Sequence, residues 1–235
     1  MRMRKKKNGG SRLAACSEYL FESTGTPMTD PGAYIDRPGA PVLLEIGAGK
    51  GGFACNMAMR YPDSVYFAME KVSDCVVLAA EKAKATFGLE NLRFIVDTAD
   101  NLPKIFDKCT VDRIFLNFSD PWSKKGYAKR RLTHKRYLSV YFNLLKDGGK
   151  ITFKTDNQAL FDFSLQEFVG MGLELDYVTR DLHNSDRSAE NVMTEYEKNF
   201  SEQGFAINML EVTKPLGFMP EIPAEFGKSY KNDEK

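Results

Sequence analysis

V-L-L-E-I-G-A-G-K-G-G-F, residues 42 to 53, sets a short apolar strand directly against a glycine turn that feeds a helix beginning near Phe53. Val42, Leu43, Leu44 and Ile46 suit a strand covered on both faces, and glycine lets the turn take positive φ and approach a ligand closely. The same kind of apolar run recurs downstream as V-Y-F-A-M (65 to 69), L-R-F-I-V (92 to 96), I-F-L-N-F (114 to 118) and I-T-F-K-T (151 to 155). Each of the four gaps is long enough for a crossover, the third being short, which is the rhythm of a parallel sheet with helices on both faces. Two later runs, L-E-L-D-Y-V (173 to 178) and F-A-I-N-M-L-E-V (205 to 212), are expected to close the edge as an antiparallel pair. No internal repeat is found.

At 235 residues and 43% hydrophobic, the chain supports one core and demands no second domain. Residues 1 to 40 are basic and then rich in Gly, Pro, Ser and Thr, which predicts a mobile arm; 41 to 213 form the folded domain, and 214 to 235 read as a tail. The start, M-R-M-R-K-K-K, has charge without an apolar region behind it, and no run approaches the roughly 18 apolar residues of a membrane span. A cytoplasmic protein without membrane contact is expected. Cys16, Cys55, Cys75 and Cys109 have no paired spacing and only His134 and His183 to assist them, so reduced, packing thiols are expected and no metal.

The glycine turn satisfies G-x-G-x-x-G through Gly47, Gly49 and Gly52, a spacing shared with nicotinamide and flavin dinucleotide folds. Glu70, at the end of the second strand, lies 21 residues after Gly49, where an acid grips ribose hydroxyls in either cofactor class. Glu45 divides the two: before the turn it faces a pyrophosphate unfavourably, but it balances the cationic amino and sulfonium groups of S-adenosylmethionine. Lys50 pulls mildly the other way. At the end of the third strand, Asp97 is the candidate acceptor for the adenine amino group, and Asp100 can instead cap the following helix.

N-F-S-D-P-W-S-K-K-G-Y-A-K-R-R-L-T-H-K-R, Asn117 to Arg136, places Asp120 at the carboxyl end of the fourth strand, where open α/β sheets bind their ligands. From Pro121 to Lys146 there are eight Lys or Arg and no acid, in a chain whose net charge is only +1. A solvated helix face is the ordinary explanation of such a run, yet such faces usually carry acids as well. The segregation points to a polyanionic partner, a nucleic acid.

Together these blocks resemble the bacterial tRNA (guanine-N7-)-methyltransferases, over about residues 42 to 213 and the basic start. The carriers are E-I-G-A-G-K-G-G-F (45 to 53), N-F-S-D-P-W (117 to 122), K-R-R-L-T (129 to 133), F-K-T-D-N (153 to 157), D-L-H-N-S (181 to 185) and M-T-E-Y-E (193 to 197). The resemblance implies a Rossmann-like class I methyltransferase fold: a seven-stranded, mostly parallel sheet with one antiparallel edge strand and helices on both faces. It implies that S-adenosylmethionine is bound by Glu45, Gly47, Gly49, Glu70, Asp97 and Asp120. It further implies substrate contacts from Lys124, Asp156, Thr194, Glu195, Tyr196 and Glu197, and tRNA contacts from Gly126, Tyr127, Ala128, Lys129, Arg130 and Arg131. The chain departs from the family's usual D-P-W-P-K-K-R-H in Ser123 and Gly126-Tyr127, which makes the loop more flexible and one cation poorer.

Guanine N7 carries a free lone pair, so its methylation removes no proton and needs no general base. Asp120 is therefore expected to act as a fixed charge. Trp122 either stacks on a base or wedges the loop against the sheet, and His183 is expected to fix a loop rather than move a proton. Arg2, Arg4, Lys5, Lys6 and Lys7 either bind phosphate or solubilise the chain start. The expected partner is tRNA, with the protein a monomer or homodimer. The competing readings are a dinucleotide-dependent oxidoreductase and a non-catalytic RNA-binding module.

Overall fold

The computed structural model describes residues 6–86 and 89–227. A seven-stranded sheet runs in the order β3-β2-β1-β4-β5-β7-β6. Its strands are β1 (Val42–Ile46), β2 (Val65–Glu70), β3 (Leu92–Val96), β4 (Val111–Asn117), β5 (Leu145–Thr155), β6 (Tyr177–Thr179) and β7 (Asn208–Thr213). The first five are mutually parallel, while β7 pairs antiparallel with both β5 and β6. The antiparallel strand thus lies at the expected side of the sheet, with the three-residue β6 outside it.

Alternation along the strands divides the core in two. Leu43, Tyr66, Ala68 and Phe115 pack with α2 (Gly52–Arg60) and α3 (Ser73–Ala85). Leu44, Ile46, Phe67, Ile114 and Leu116 pack with α5 (Lys135–Leu144) and α6 (Gln158–Gly170) on the other face. Central strands that feed both cores are apolar without a break, and every residue of β1 is buried, Glu45 included. The short third gap holds only a 3-10 turn (Ala99–Asn101) and the four-residue α4 (Leu102–Ile105).

The arm expected over residues 1 to 40 is packed onto the domain from Gly9 onward. Helix α1 (Gly9–Ala14) lies against α3, and Arg12 forks onto both oxygens of Glu81 at 2.7 and 2.6 Å. Cys16, Met28 and Ile35 are buried, with bridges from Leu20 to Phe94 and from Met28 to Phe106. Single apolar anchors at irregular spacing hold this segment, so it has no period to read. Arg2, Arg4 and Lys5 lie outside the described residues, and the Lys6 backbone N–H donates to Asp74 of α3.

The tail is packed as well: Phe218 meets Phe142 and Phe226 meets Tyr137, both edge-on, at 5.4 and 5.6 Å between centroids. Buried Lys214 donates to the Leu145 carbonyl at 2.8 Å. Among the described residues no helix is long and apolar enough to cross a membrane, and no cluster of side chains has the makings of a metal site. All four cysteines are free thiols, with Cys16 and Cys55 buried.

Candidate active site

The carboxyl ends of β1 and β4 open into a cleft of about 330 Å³ lined by Glu45, the glycine turn, Asn117, Phe118 and residues 194 to 196. Gly47 and Ala48 donate to the Met69 carbonyl at 2.8 and 3.0 Å, which hooks the turn over the end of β2. Gly49 takes φ +55°, with open space above it, so only its backbone conformation requires glycine. At Gly51, φ +72°, contact adds to conformation: a β-carbon there comes within 2.7 Å of Ala79 and 3.0 Å of the Phe94 ring. Glu70 accepts from Gly49 N at 3.1 Å and from Val72 N at 2.9 Å, so it braces the turn from the neighbouring strand.

Glu45 is buried at the floor of the cleft, and Asn117 Nδ2 donates to its Oε1 at 3.1 Å. Glu45 Oε2, Asn117 Oδ1, Ser119 Oγ and the Tyr66 hydroxyl are buried outside hydrogen-bonding geometry, the Tyr66 hydroxyl lying close enough to Glu45 to pull on its carboxyl. Burial pushes the Glu45 carboxyl up to about 7, against the opposing pull of the Asn117 hydrogen bond and the Lys154 charge. An orphaned buried oxygen costs about 1 to 3 kcal/mol, so this group of atoms suits a polar, cationic ligand.

Asp100 does not take the capping role that the sequence allowed it, and Asp97 bonds locally after β3. Asp97 accepts from Thr98 N at 2.7 Å and from Asn101 Nδ2 at 2.8 Å, which ties it to the turn after β3. Asp100 instead pairs with Arg136 and takes the Tyr137 hydroxyl at 3.3 Å. The cause is α5, which brings a buried arginine over Asp100. This also removes Arg136 from the cationic face expected over residues 124 to 136.

Beyond β4 the chain turns sharply, with Phe118 at φ +51° and Trp122 at φ +42°. Such left-handed conformations cost of order 1 to 3 kcal/mol each in non-glycine residues and persist where the surroundings enforce them. Asp120 stands exposed between them, with Lys71 Nζ 3.6 Å away. Arg131 grips the loop: Nε donates to the Pro121 carbonyl at 2.9 Å and a terminal nitrogen to the Trp122 carbonyl at 3.1 Å. Trp122 leans edge-on against Tyr127 at 5.9 Å, and Arg130 lies over both rings, so the tryptophan braces the following turn rather than the sheet. Lys124, Lys125, Gly126 and Lys129 are exposed on that turn, while Tyr127, Ala128 and Arg130 are half-buried.

Across the cleft lies α7 (Glu195–Ser201), started by a capping box between Thr194 and Glu197. Glu197 is fully buried. Its Oε2 pairs with Lys154 Nζ at 2.6 Å, and its Oε1 meets His183 Nε2 at 3.0 Å and Asn191 Nδ2 at 2.5 Å. Burial alone would raise this carboxyl, but Lys154, His183 and Asn191 hold it below the usual carboxylate range. Burial depresses Lys154 in turn. Both Glu197 oxygens and the Thr194 hydroxyl, residues expected at the substrate, are hydrogen-bonded within the fold. Glu195 and Tyr196 face the cleft, Glu195 tied to Lys82 on α3 and Tyr196 stacked on Phe200 with its hydroxyl 3.4 Å from Asp156. His183 has the anchoring role expected of it.

The model of a methyltransferase family, Methyltransf_4, matches residues 39–210. The chain belongs to this family, that of the tRNA guanine-N7-methyltransferases. Its methyl donor is S-adenosylmethionine. Solved structures of similar fold include an antibiotic-related methyltransferase at 16% identity, covering 84% of this chain and 100% of that one with a TM-score of 0.58. The 16S rRNA methyltransferase KamB matches at 12% identity over 91% of this chain and 97% of that one, TM-score 0.55. A geranyl diphosphate C-methyltransferase from Streptomyces coelicolor A3(2), in complex with Mg2+, geranyl diphosphate and S-adenosyl-L-homocysteine, matches at 16% identity over 86% and 79%, TM-score 0.51. At such identities the likeness is one of fold.

The methyltransferase's own residues fit this cofactor. Glu45 Oε2 is an unused buried acceptor beside an open glycine turn, which suits a cationic amino acid group better than a pyrophosphate. The dinucleotide alternative falls with the family assignment. Sequence reasoning left several partners unnamed: Asn117 behind Glu45, Lys71 beside Asp120, Lys82 beneath Glu195 and Lys154 beneath Glu197. Lys154 left a signal, since a lysine on a buried strand requires a charged partner somewhere.

Proposed function

We propose that the enzyme transfers the methyl group of S-adenosylmethionine to N7 of guanine in the variable loop of tRNA, work that belongs in the cytoplasm. The observation that carries this reading is the exposed Asp120 carboxylate on a strained loop that leads within a few residues into the exposed cations Lys124, Lys125 and Lys129. A fixed negative charge and a phosphate-binding surface thereby share one short segment.

Bound S-adenosylmethionine supplies an electrophilic methyl on a positively charged sulfur. Glu45, the glycine turn, Glu70 and Asp97 hold and orient it. Asp120 offers its charge as positive charge moves toward the purine, and abstracts nothing. Asp156 and Glu195 are the acids available to accept the N1 and N2 hydrogens that distinguish guanine, and Tyr196 offers its exposed ring for stacking. Approximation of this kind contributes up to roughly 7 to 11 kcal/mol in favourable systems. A non-catalytic RNA-binding role leaves the orphaned oxygens of the cleft without a purpose.

The test is incubation with labelled methyl donor and unmodified tRNA, followed by digestion and mass spectrometry. Label in N7-methylguanosine of the variable loop is the expected result. Label confined to ribosomal RNA, or a different methylated base in tRNA, contradicts it.

A further inference from the structure

The K-R-R-L-T segment implies by resemblance a surface for RNA, but its second arginine points inward. Arg131 sets one edge of its guanidinium, Nε and a terminal nitrogen, on two consecutive carbonyls, those of Pro121 and Trp122. Its flat face lies over the Phe163 ring of α6, 4.4 Å from the centroid. Two residues on, Thr133 is fully buried and hydrogen-bonded to Ser164 of the same helix at 2.7 Å. The arginine is thus seated on α6 on one side and holds the left-handed Trp122 on the other. The loop it fixes carries Asp120, and no other side chain donates to that loop's backbone among the described residues.

We propose that Arg131 is a positioning residue of the transfer loop: it fixes the Pro121–Trp122 backbone so that Asp120 is held at the methyl-transfer point, and it is not a phosphate ligand. The rigid fork of arginine matches two neighbouring carbonyls, and its plane stacks on an aromatic ring; a lysine ammonium does neither. Arg131→Lys keeps the charge and discards the grip, and so separates the two roles. Misplacement of a reacting group by about 1 Å costs on the order of 100-fold in rate. A lost phosphate contact instead lowers the salt dependence of tRNA binding by roughly 0.7 to 0.9 of a log-log unit.

The activity arm of the test rests on the tRNA reading given above, but a second arm does not. Trp122 is the only tryptophan of the chain, so its fluorescence reports the loop without any substrate. In Arg131→Lys, checked for folding by circular dichroism, Trp122 emission should shift to the red and acrylamide quenching should rise. Single-turnover methylation at saturating cofactor and tRNA should fall on the order of 100-fold, with the tRNA Kd and its salt slope unchanged. Wild-type Trp122 quenching together with a weakened, flattened tRNA affinity makes Arg131 a phosphate ligand and overturns the proposal. If the wild-type protein methylates no tRNA, the functional reading fails and the fluorescence arm alone decides: a loosened Trp122 upholds the grip, and an unchanged one overturns it.

Discussion

Glu45 and Glu197 are both buried carboxylates on elements that line one cleft, and they are built in opposite ways. Glu197 has Lys154, His183, Asn191 and its own capping-box N–H around it, and its carboxyl is held low. Glu45 has one amide donor, the Tyr66 hydroxyl nearby but outside hydrogen-bonding geometry, and an oxygen without a partner, and burial pushes its carboxyl up to about 7. A buried charge whose partners are all present is architecture; one left short of partners is a site that a ligand completes. Both acids stand within a recognisable motif, and only their surroundings tell them apart.

The largest effect should come from breaking the satisfied acid. Lys154→Met removes the partner of a fully buried carboxylate and should cost about 3 to 5 kcal/mol of stability by denaturant unfolding. Because Glu197 is held below its unfolded value, the stability it adds is present above the ordinary carboxylate range and is lost as pH falls through its folded pKa. The destabilisation should therefore shrink toward acid pH. A Lys154→Met protein as stable as wild type would erase the distinction between the two glutamates.

Asp120 carries the comparison into the chemistry, since it is exposed and its ion pair with Lys71 at 3.6 Å is of the weak surface kind. Asp120→Asn should keep the fold and lower single-turnover methylation on the order of 100- to 1000-fold. A rate within about threefold of wild type would make the charge irrelevant, far below the effect of removing a fixed electrostatic group. Glu70→Ala is milder: it should weaken S-adenosylmethionine binding by about 1 to 3 kcal/mol in calorimetry, as a lost hydrogen bond to a charged group does. Unchanged affinity would reduce Glu70 to a brace for Gly49.

Strand β1 coincides residue for residue with an apolar run in the sequence, because a strand buried on both faces has no other way to be written; edge strand β3 coincides as well, although its Val96 is exposed. The run from 173 to 178 instead yields only Tyr177–Thr179, since Leu173 is drawn into the core behind α6. The acids at strand ends were legible because a parallel sheet directs its strand ends to one side. Their partners were not: Glu45 and Asn117 are 72 residues apart and Lys154 and Glu197 43, and no local pattern joins them. The bonds from Arg131 to the Pro121 and Trp122 carbonyls were hidden for the same reason, as a cation run shows its charge but not which way each side chain turns.

The central claim, that Glu45 is an unfinished site, is most directly tested by the protons it exchanges. With its carboxyl raised to about 7, the folded protein holds a proton there, between the ordinary carboxylate range and pH 7, that the unfolded chain has already shed. The stability this group contributes is complete below the unfolded carboxylate pKa and is lost as pH rises through 7. Glu45→Gln should accordingly gain in melting temperature relative to wild type on going from pH 4.5 to pH 8. A cationic ligand beside Glu45 favours the charged form, so S-adenosylmethionine binding should expel the proton. Calorimetric titration at pH 6.5 in two buffers of different ionisation enthalpy should show proton release on binding to the wild type and none with Glu45→Gln. Binding heats that are independent of buffer in the wild type, or equally buffer-dependent in Glu45→Gln, would contradict the assignment of Glu45 as the acid that the cofactor completes.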